Sequence, residues 1–269
     1  MSGPNFGPPP GDVPPERSTA SQPAVFPKLA IIVPCYNEED CLAPTLDELL
    51  GVLRQVRFTW EVIVVDDGSR DRSVSIAETY VAKDARLRVV KHRVNMGSGQ
   101  AIWTGIQAAQ SELVVYVPAD GQFDHGEIPD YVAAADAGAD IVIGHRLSRD
   151  DYTLYRRVSS AVFLGLCNNL FDHQFKDVNW VHLWRRSIFG DFEPQSRGVF
   201  FLEEILVRAR DRGKKVAEVP SVYRPRQGGQ AKGGKPTVIL KTIYEMLKLW
   251  NERRPQRPEG AGGGKAPLC

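Results

Sequence analysis

Two short apolar runs, each ending abruptly in polar turn residues, constrain this chain more than any other feature. Ile31–Val33 leads into the polar stretch 34–39, and Val62–Val65 leads into Asp66–Ser69. Val- and Ile-rich runs without polar alternation are typical of strands covered on both faces. If both strands lie in one parallel sheet, their carboxyl ends meet at the edge where open α/β sheets bind ligands. Carboxylates there suit sugar and base hydroxyls, or a metal ion that itself binds a diphosphate.

The alternation of strand and helix continues along much of the chain. Strands are predicted at residues 29–33, 61–65, 87–91, 113–117 and 141–144, with helices between them at 41–56, 73–83, 99–109 and 127–137. Such a βαβ series predicts an α/β fold with a doubly wound, mostly parallel sheet. After residue 144 the pattern changes to helices at 159–171 and 200–210, a strand at 216–219 and a final helix.

The predicted organisation is one domain over residues 28–235, followed by an amphipathic helix over 236–252. Residues 1–27 are rich in Pro, Gly and Ser, and residues 253–269 have a similar composition. Both segments hold too little apolar surface to fold and are predicted to be disordered tails.

Bulk composition narrows the choice of partners and compartment. The formal net charge is +1, so no strong field favours a nucleic-acid partner. The four cysteines form no C-x-x-C pair, which favours a reduced, cytoplasmic compartment. No signal peptide is evident, and no transmembrane helix is expected because long uncharged apolar runs are missing.

A further predicted strand leads to a carboxylate, Asp120, with Gln122 two residues later. Alternate residues of an extended segment point the same way, so both side chains can face one site. Their oxygens suit a hard divalent cation that also binds substrate phosphates, although a plain turn at Asp120–Gly121 explains them equally well. For the two earlier strand ends taken together, a nucleotide pocket is favoured over simple capping and turn chemistry.

The glycine-rich segment Asn95–Gln100 precedes a predicted helix. It fails the G-x-G-x-x-G fingerprint because Ile102 occupies the last glycine position, so dinucleotide binding is disfavoured. A simple glycine-rich helix start is the favoured interpretation.

Two basic segments allow both a functional and a plain interpretation. The arginines of segment 145–157 suit a phosphate next to an apolar tail, or form a solvated surface. The loop Arg224–Lys235 is either a linker or a mobile loop that closes over a diphosphate.

Seven motifs follow one another along residues 28–235: V-P-x-Y-N-E at 33–38, V-D-D-G-S at 65–69, N-x-G-x-G at 95–99, A-D-G-Q at 119–122, G-x-R at 144–146, E-V-P at 218–220 and R-x-x-G at 226–229. The ordered set resembles the family 2 glycosyltransferases with the GT-A fold, especially dolichyl-phosphate mannosyltransferase-like enzymes. The resemblance implies a Rossmann-like GT-A domain and an inverting transfer of a sugar from a GDP- or UDP-sugar to a polyprenyl phosphate.

The resemblance also implies which residues bind the donor nucleotide. Pro34, Tyr36 and Glu38 would contact the nucleoside. Asp66 or Asp67 would read the base or the ribose.

Metal and acceptor residues follow from the same resemblance. Asp120 and Gln122 would hold Mg²⁺ or Mn²⁺ on the diphosphate. Arg146 and Arg157, with Arg156 as the alternative to Arg157, would bind the acceptor phosphate. Asp120, Arg146 and Arg157 are therefore the predicted catalytic residues.

By the same resemblance, Arg226 and Lys232 would bind the donor diphosphate from the basic loop.

The chain departs from the family pattern at three positions. Pro118 replaces the first acid of the usual D-x-D motif, so metal binding is either weaker or relies on Asp120 and Gln122 alone. Ser98 stands where Lys is common, and Ala231 replaces a usual Ser. The transmembrane hairpins of some relatives are not found, so membrane association is expected to be peripheral, on the cytoplasmic face.

Physical chemistry distinguishes the possible acceptors. A phosphate monoester loses its second proton near pH ~6 and needs orienting arginines but no general base. A hydroxyl acceptor needs a positioned base, for which Glu203 and Glu204 are the candidates, although both also suit the first turn of a helix. A nucleotide-sugar binding module without activity is a third reading, motivated by Pro118. Helix 159–171 and the final helix either lie on a membrane surface or pack on the domain.

Overall fold

The computed structural model describes residues 28–148, 152–225 and 236–253. Its strands are β1 (Leu29–Cys35), β2 (Trp60–Asp66), β3 (Leu87–Lys91), β4 (Leu113–Tyr116), β5 (Ile141–Arg146), β6 (His182–Arg185) and β7 (Val216–Ser221). Its α-helices are α1 (Leu42–Leu53), α2 (Ser73–Val81), α3 (Ser98–Ala108), α4 (Ile128–Asp136), α5 (Leu154–Phe171), α6 (Phe201–Arg210) and α7 (Pro236–Arg253). Short 3-10 turns occur at His125–Glu127 and Arg186–Gly190.

The strands form one sheet in the order β3-β2-β1-β4-β6-β5-β7. Strand β6 runs antiparallel to both of its neighbours, while every other pairing is parallel. The predicted mostly parallel sheet is therefore confirmed. All parallel strands end at the same edge, and this edge carries the polar residues that the sequence singled out.

Helices cover both faces of the sheet, as the uninterrupted apolar strands predict. Along β1, Ile31 belongs to a core with α1 and α4, and Ile32 to a second core with α3 and α6. Gly105 permits the close approach of α3 to β1, because a Cβ there would lie 2.4 Å from Ile32 Cγ2. A third apolar cluster joins α5, α6 and α7 through Cys167, Val207 and Met246.

Several predicted boundaries need correction. Strand β6 was not predicted, because His182–Arg185 is short and lacks a run of β-branched residues. Helix α5 begins at Leu154 rather than at residue 159. The Thr153 hydroxyl caps this earlier start by accepting from Arg156 N. Arg253, assigned to the tail, ends α7 and pairs with Asp211 across 2.6 Å. The remaining predicted tail residues lie outside the described residues, and none of the described helices is long and apolar enough to cross a membrane.

Candidate active site at the carboxyl edge of the sheet

The loops after β1 and β2 form one hydrogen-bonded unit. The two strands pair in parallel with Cys35 opposite Asp66. Asn37 N donates to Ser69 Oγ across 2.9 Å, and Arg70 N donates to Asn37 Oδ1 across 2.8 Å. The two polar strand ends predicted to meet therefore do meet, with Asn37 in the left-handed region at φ 51°.

The predicted nucleoside residues of the first motif stand on this unit. Pro34, Tyr36 and Glu38 are all partly buried, and Glu38 N donates to Ser73 Oγ across 2.9 Å. Asp66, at the end of β2, is buried and accepts from the main chain of the turn that follows, including Ser69 N across 3.2 Å. The buried Asp66 and the partly exposed residues of the first motif therefore share the carboxyl edge of the sheet.

Asp67 has a different role from Asp66. Its buried carboxylate lies 2.7 Å from His92 Nδ1 and accepts from Met96 N across 2.9 Å and from Gly97 N across 2.8 Å. Both oxygens are thus engaged in holding the loop that leads into α3. Asp66 is equally buried, but it accepts from Gly68 N and Ser69 N of its own turn, so the two carboxylates hold different segments of the main chain.

The glycine-rich segment before α3 is a helix start, as predicted. Gly97 adopts φ +99°, and Cβ atoms at Gly97 and Gly99 would lie 2.8 Å from Arg197 O. The same carbonyl accepts from Gln100 N across 3.2 Å. Because the main chain at Arg197 covers the first turn of α3, the glycines serve close chain packing.

Asp120 and Gln122 lie in one tight turn after β4. Gly121 adopts φ +71°, and Gln122 N donates to Asp120 Oδ1 across 3.2 Å. Asp120 is half-buried, and the Gln122 amide nitrogen donates to the Tyr223 hydroxyl. The sequence argument did not find Tyr223, which lies 101 residues further along the chain.

These two side chains fit a divalent cation that a diphosphate helps to hold. Across the described parts of the chain, no three His, Cys, Asp or Glu side chains group as a metal site. Asp120 and Gln122 would thus supply two oxygen ligands and leave the other positions to water and phosphate oxygens. Mg²⁺ is typically bound by such a sparse set of protein ligands together with substrate phosphates.

Arg146, at the end of β5, is held by a residue that the sequence argument missed. Its side chain is only 6% exposed, and Nε and Nη2 donate to the two carboxylate oxygens of Asp177 across 2.6 and 2.9 Å. Nη1 donates to the Tyr152 hydroxyl across 2.7 Å, and the guanidinium lies over Trp180. Burial acts to lower the pKa of Arg146, but the hydrogen bonds and charge of Asp177 outweigh it and raise that pKa.

Tyr116, the last residue of β4, lies between the turn that carries Asp120 and the cluster around Arg146. Burial raises the pKa of its hydroxyl; the charge of Arg146 lowers that pKa, and the charges of Asp177 and Asp120 raise it. The Tyr116 hydroxyl also donates to Trp180 O across 2.5 Å. Tyr116 and Arg146 both contact Trp180, and Asp120 follows Tyr116 by four residues, so the predicted metal residue and the predicted acceptor arginine belong to the same edge of the sheet.

The other predicted phosphate-binding residues lie at the start of α5 or outside the described residues. Arg157 is exposed and its Nε donates to Tyr152 O across 3.2 Å. The exposed Arg156 stacks on the Tyr152 ring, with 3.8 Å between guanidinium carbon and ring centroid. Arg226 and Lys232 lie outside the described residues.

Glu203 and Glu204, the candidate bases for a hydroxyl acceptor, are structural. They are 1% and 2% exposed. Glu203 lies 2.8 Å from His173 Nε2. Glu204 accepts from Gln195 N across 2.9 Å and from Arg208 Nε across 2.6 Å. Their place in the first turn of α6 matches the alternative that the sequence left open.

Helices α5 and α7 expose apolar side chains beyond this edge. On α5 the exposed aliphatic residues recur every fourth position, and on α7 the exposed apolar residues follow a spacing of three and four; they are Leu154, Val158, Val162 and Leu166, and Leu240, Ile243, Tyr244 and Leu247. The opposite sides of both helices pack together in the third apolar cluster. These eight residues are called the apolar face below.

Comparison with known proteins places this architecture in a family. A model described as "Glycosyl transferase family 2" matches residues 30–198. An undecaprenyl-phosphate 4-deoxy-4-formamido-L-arabinose transferase of Pectobacterium carotovorum is 30% identical over 227 residues, which are 83% of this chain and 64% of that protein. A dolichyl-phosphate beta-glucosyltransferase of Trichomonas vaginalis is 30% identical over 255 residues, 87% of this chain and 76% of its own length.

Solved structures support the same fold. Glucosyl-3-phosphoglycerate synthase from Mycobacterium tuberculosis, crystallised with Mn²⁺, UDP-glucose and phosphoglyceric acid, superimposes with a TM-score of 0.67 at 19% identity, covering 84% of this chain and 80% of that chain. An uncharacterized glycosyltransferase of the same organism is 30% identical over 82% of this chain and 96% of its own length. The chain therefore belongs to glycosyl transferase family 2.

Proposed function

We propose that this family 2 glycosyltransferase moves a sugar, with inversion, from a UDP- or GDP-sugar to the phosphate of a polyprenyl phosphate. Two relatives at 30% identity carry names that specify undecaprenyl phosphate and dolichyl phosphate as acceptors. Because the chain spans 64% of the length of the first of these relatives, its own acceptor is argued from its own residues.

On the donor side, Pro34, Tyr36 and Glu38 contact the nucleoside, and Asp66 reads the base or ribose. The position of these residues at the paired ends of β1 and β2, where Pro34, Tyr36 and Glu38 stay partly exposed, supports this assignment. A carboxylate can only accept hydrogen bonds, so Asp66 would select an N–H or O–H of the nucleoside.

Asp120 and Gln122 hold Mg²⁺ or Mn²⁺ on the donor diphosphate in this proposal. A cation held there would supply positive charge that offsets the charge developing on the departing nucleoside diphosphate. Arg226 and Lys232 would add positive charge from the basic loop, a role assigned from the sequence alone.

On the acceptor side, the phosphate needs positioning and no base. A phosphate monoester has its second pKa near ~6, so it is mostly a dianionic nucleophile at pH 7. Arg157 would orient it directly, while Arg146, whose charge is paired with Asp177, would hold the end of β5 and, through Tyr152, the start of α5 in place. The burial of Glu203 and Glu204, which leaves neither placed as a base, favours this acceptor over a hydroxyl.

The observation that carries the proposal is the composition of α5. Its first turn carries the exposed Arg156 and Arg157, and the α5 part of the apolar face runs from Leu154 to Leu166 along the same helix. A phosphate attached to a long apolar tail matches this combination of exposed arginines and exposed apolar side chains on one helix. The apolar face would rest peripherally on the cytoplasmic face of a membrane, with the aliphatic side chains in the interface.

The test is incubation with labelled UDP- and GDP-sugars, a polyprenyl phosphate and Mn²⁺, followed by organic extraction. Label in the organic phase supports the proposal. Water-soluble product alone would support a hydroxyl acceptor, and donor binding without turnover would support a binding module. Running the assay across a donor panel identifies the sugar and the nucleobase.

A further inference from the structure

The side chain of Gln122 is held by a tyrosine from a distant part of the chain. Its Nε2 donates to the Tyr223 hydroxyl across 2.5 Å. Gln122 and Tyr223 are both buried, at 8% and 7% exposed. A carboxamide has a nitrogen end that donates and an oxygen end that accepts, and a cation binds the oxygen end. The group that engages the nitrogen end therefore determines where the oxygen end points.

We propose that Tyr223 is a positioning residue for the divalent cation. By accepting the Gln122 Nε2–H, the hydroxyl turns the amide oxygen away from Tyr223 and toward the site shared with Asp120. The inference rests on the proposed role of Asp120 and Gln122 as metal ligands. Partners that orient metal ligands in this way are worth about 10–100-fold in metal affinity.

The ring of Tyr223 is fixed well enough to act as such a partner. Its main chain forms an antiparallel bridge with Phe123, the residue that follows Gln122. The ring packs edge-on against Trp180 and Tyr152, with 5.6 Å between centroids in both cases. A buried ring with neighbours on two sides loses little freedom when its hydroxyl accepts a hydrogen bond.

The next residue ties the same segment to the metal turn. Arg224 N donates to Gln122 O across 2.9 Å. The Arg224 guanidinium donates to Glu48 across 2.7 Å and pairs with Asp124 across 2.8 Å. Main chain and side chain thus hold Tyr223 in register with Gln122.

Tyr152 provides a contrast within the same cluster. Its ring lies at 89° to that of Tyr223, but its hydroxyl accepts from Arg146 Nη1. The two neighbouring tyrosine hydroxyls therefore serve different halves of the site. Tyr152→Phe is expected to leave the Mn²⁺ affinity unchanged.

The experiment measures Mn²⁺ affinity by electron paramagnetic resonance of the free ion, with UDP or GDP present and no acceptor. Tyr223→Phe is expected to weaken Mn²⁺ binding about tenfold or more. Tyr131→Phe is the control for packing, because Tyr131 is a second buried tyrosine of this region, whose ring lies edge-on to Phe123. Thermal melting by circular dichroism checks the fold of each variant.

A second variant tests orientation itself. A carboxylate has two oxygen ends, so in a Gln122→Glu background the further change Tyr223→Phe is expected to alter Mn²⁺ affinity by no more than about twofold. An equal loss in both backgrounds would overturn the inference, as would wild-type affinity in Tyr223→Phe or in Gln122→Ala. Because no acceptor is present, these outcomes are independent of whether the transferred sugar reaches a polyprenyl phosphate.

Discussion

Asp120 is the residue on which the proposed donor chemistry depends most directly. Asp120→Asn removes the charge but keeps an oxygen that can accept from Gln122 N, so the turn is expected to survive. Transfer is expected to fall at least about 100-fold, because charge on the departing diphosphate loses its counterion. Initial rates, with circular dichroism for the fold, test this. Asp130→Asn, an exposed carboxylate in the first turn of α4, is the matched control. Near wild-type turnover in Asp120→Asn would remove the metal assignment.

The two acceptor arginines are expected to respond differently to alanine substitution. Arg146→Ala leaves Asp177 buried without its partner, so it is expected to lower the free energy of unfolding by about 3–5 kcal/mol. Arg157→Ala removes an exposed side chain, so the fold is expected to persist while the acceptor KM rises about tenfold. Urea denaturation and separate titrations of donor and acceptor measure these effects. Equal changes in the donor and acceptor KM of Arg157→Ala would contradict a phosphate-binding role.

At the residue scale, the sequence predicted which polar residues lie together at the edge of the sheet, but not which hydrogen-bond partners each of them has. Asp66 and Asp67 are neighbours of the same type, and only the structure shows that Asp67 accepts from the loop before α3, at Met96 N and Gly97 N. Asp177 and Tyr223 lie in segments without a motif of their own. Their importance arises from pairing with Arg146 and Gln122, which a local pattern cannot show.

At the scale of elements, the apolar face of α5 gives the next prediction. Val158→Gln together with Val162→Gln replaces side chains that are 54% and 55% exposed, so thermal stability is expected to stay unchanged. Binding to vesicles is expected to fall at least about tenfold, because two aliphatic groups no longer enter the interface. Co-sedimentation with vesicles measures this, with Ala133→Gln on the exposed side of α4 as the control. Unchanged sedimentation would show that the face does not meet the membrane.

Strands and helices could be predicted where their own apolar residues mark them, and could not where their position depends on pairing with distant strands. The Val- and Ile-rich β1 and β2 could be predicted because strands covered on both faces need apolar residues throughout. Strand β6 could not, since its place between β4 and β5 is set by antiparallel pairing with two strands that are distant in sequence. The earlier start of α5 depends on the cap at Thr153, which a search for apolar periodicity does not detect.

For the whole molecule, the architecture puts the proposed active site and the proposed membrane contact on connected elements. Strands β1, β2, β4 and β5 bring the residues proposed to bind donor and acceptor to one edge, and α5 follows β5 in the chain. In the proposed function, one sheet would thus hold the sugar donor and a lipid-borne phosphate in fixed relation. This arrangement requires the sheet to stay folded under the assay conditions, so the pH dependence of the free energy of unfolding matters.

Two histidines buried around this sheet are expected to make it less stable in acid. Burial lowers the pKa of His182 from 6.5 to about 3, against the opposing charge of Asp177, and burial also lowers the pKa of His125. Below pH 6.5 the unfolded chain therefore binds protons that the folded chain excludes, and stability present above that pH is lost as the pH falls. Each histidine contributes a slope of up to about 1.4 kcal/mol per pH unit. Urea denaturation between pH 7 and pH 5 should show this decline, with the interval at about pH 8, where the unfolded imidazoles are almost fully neutral, as the internal control. His182→Leu should make the slope shallower, and an unchanged slope in that variant would contradict the assignment.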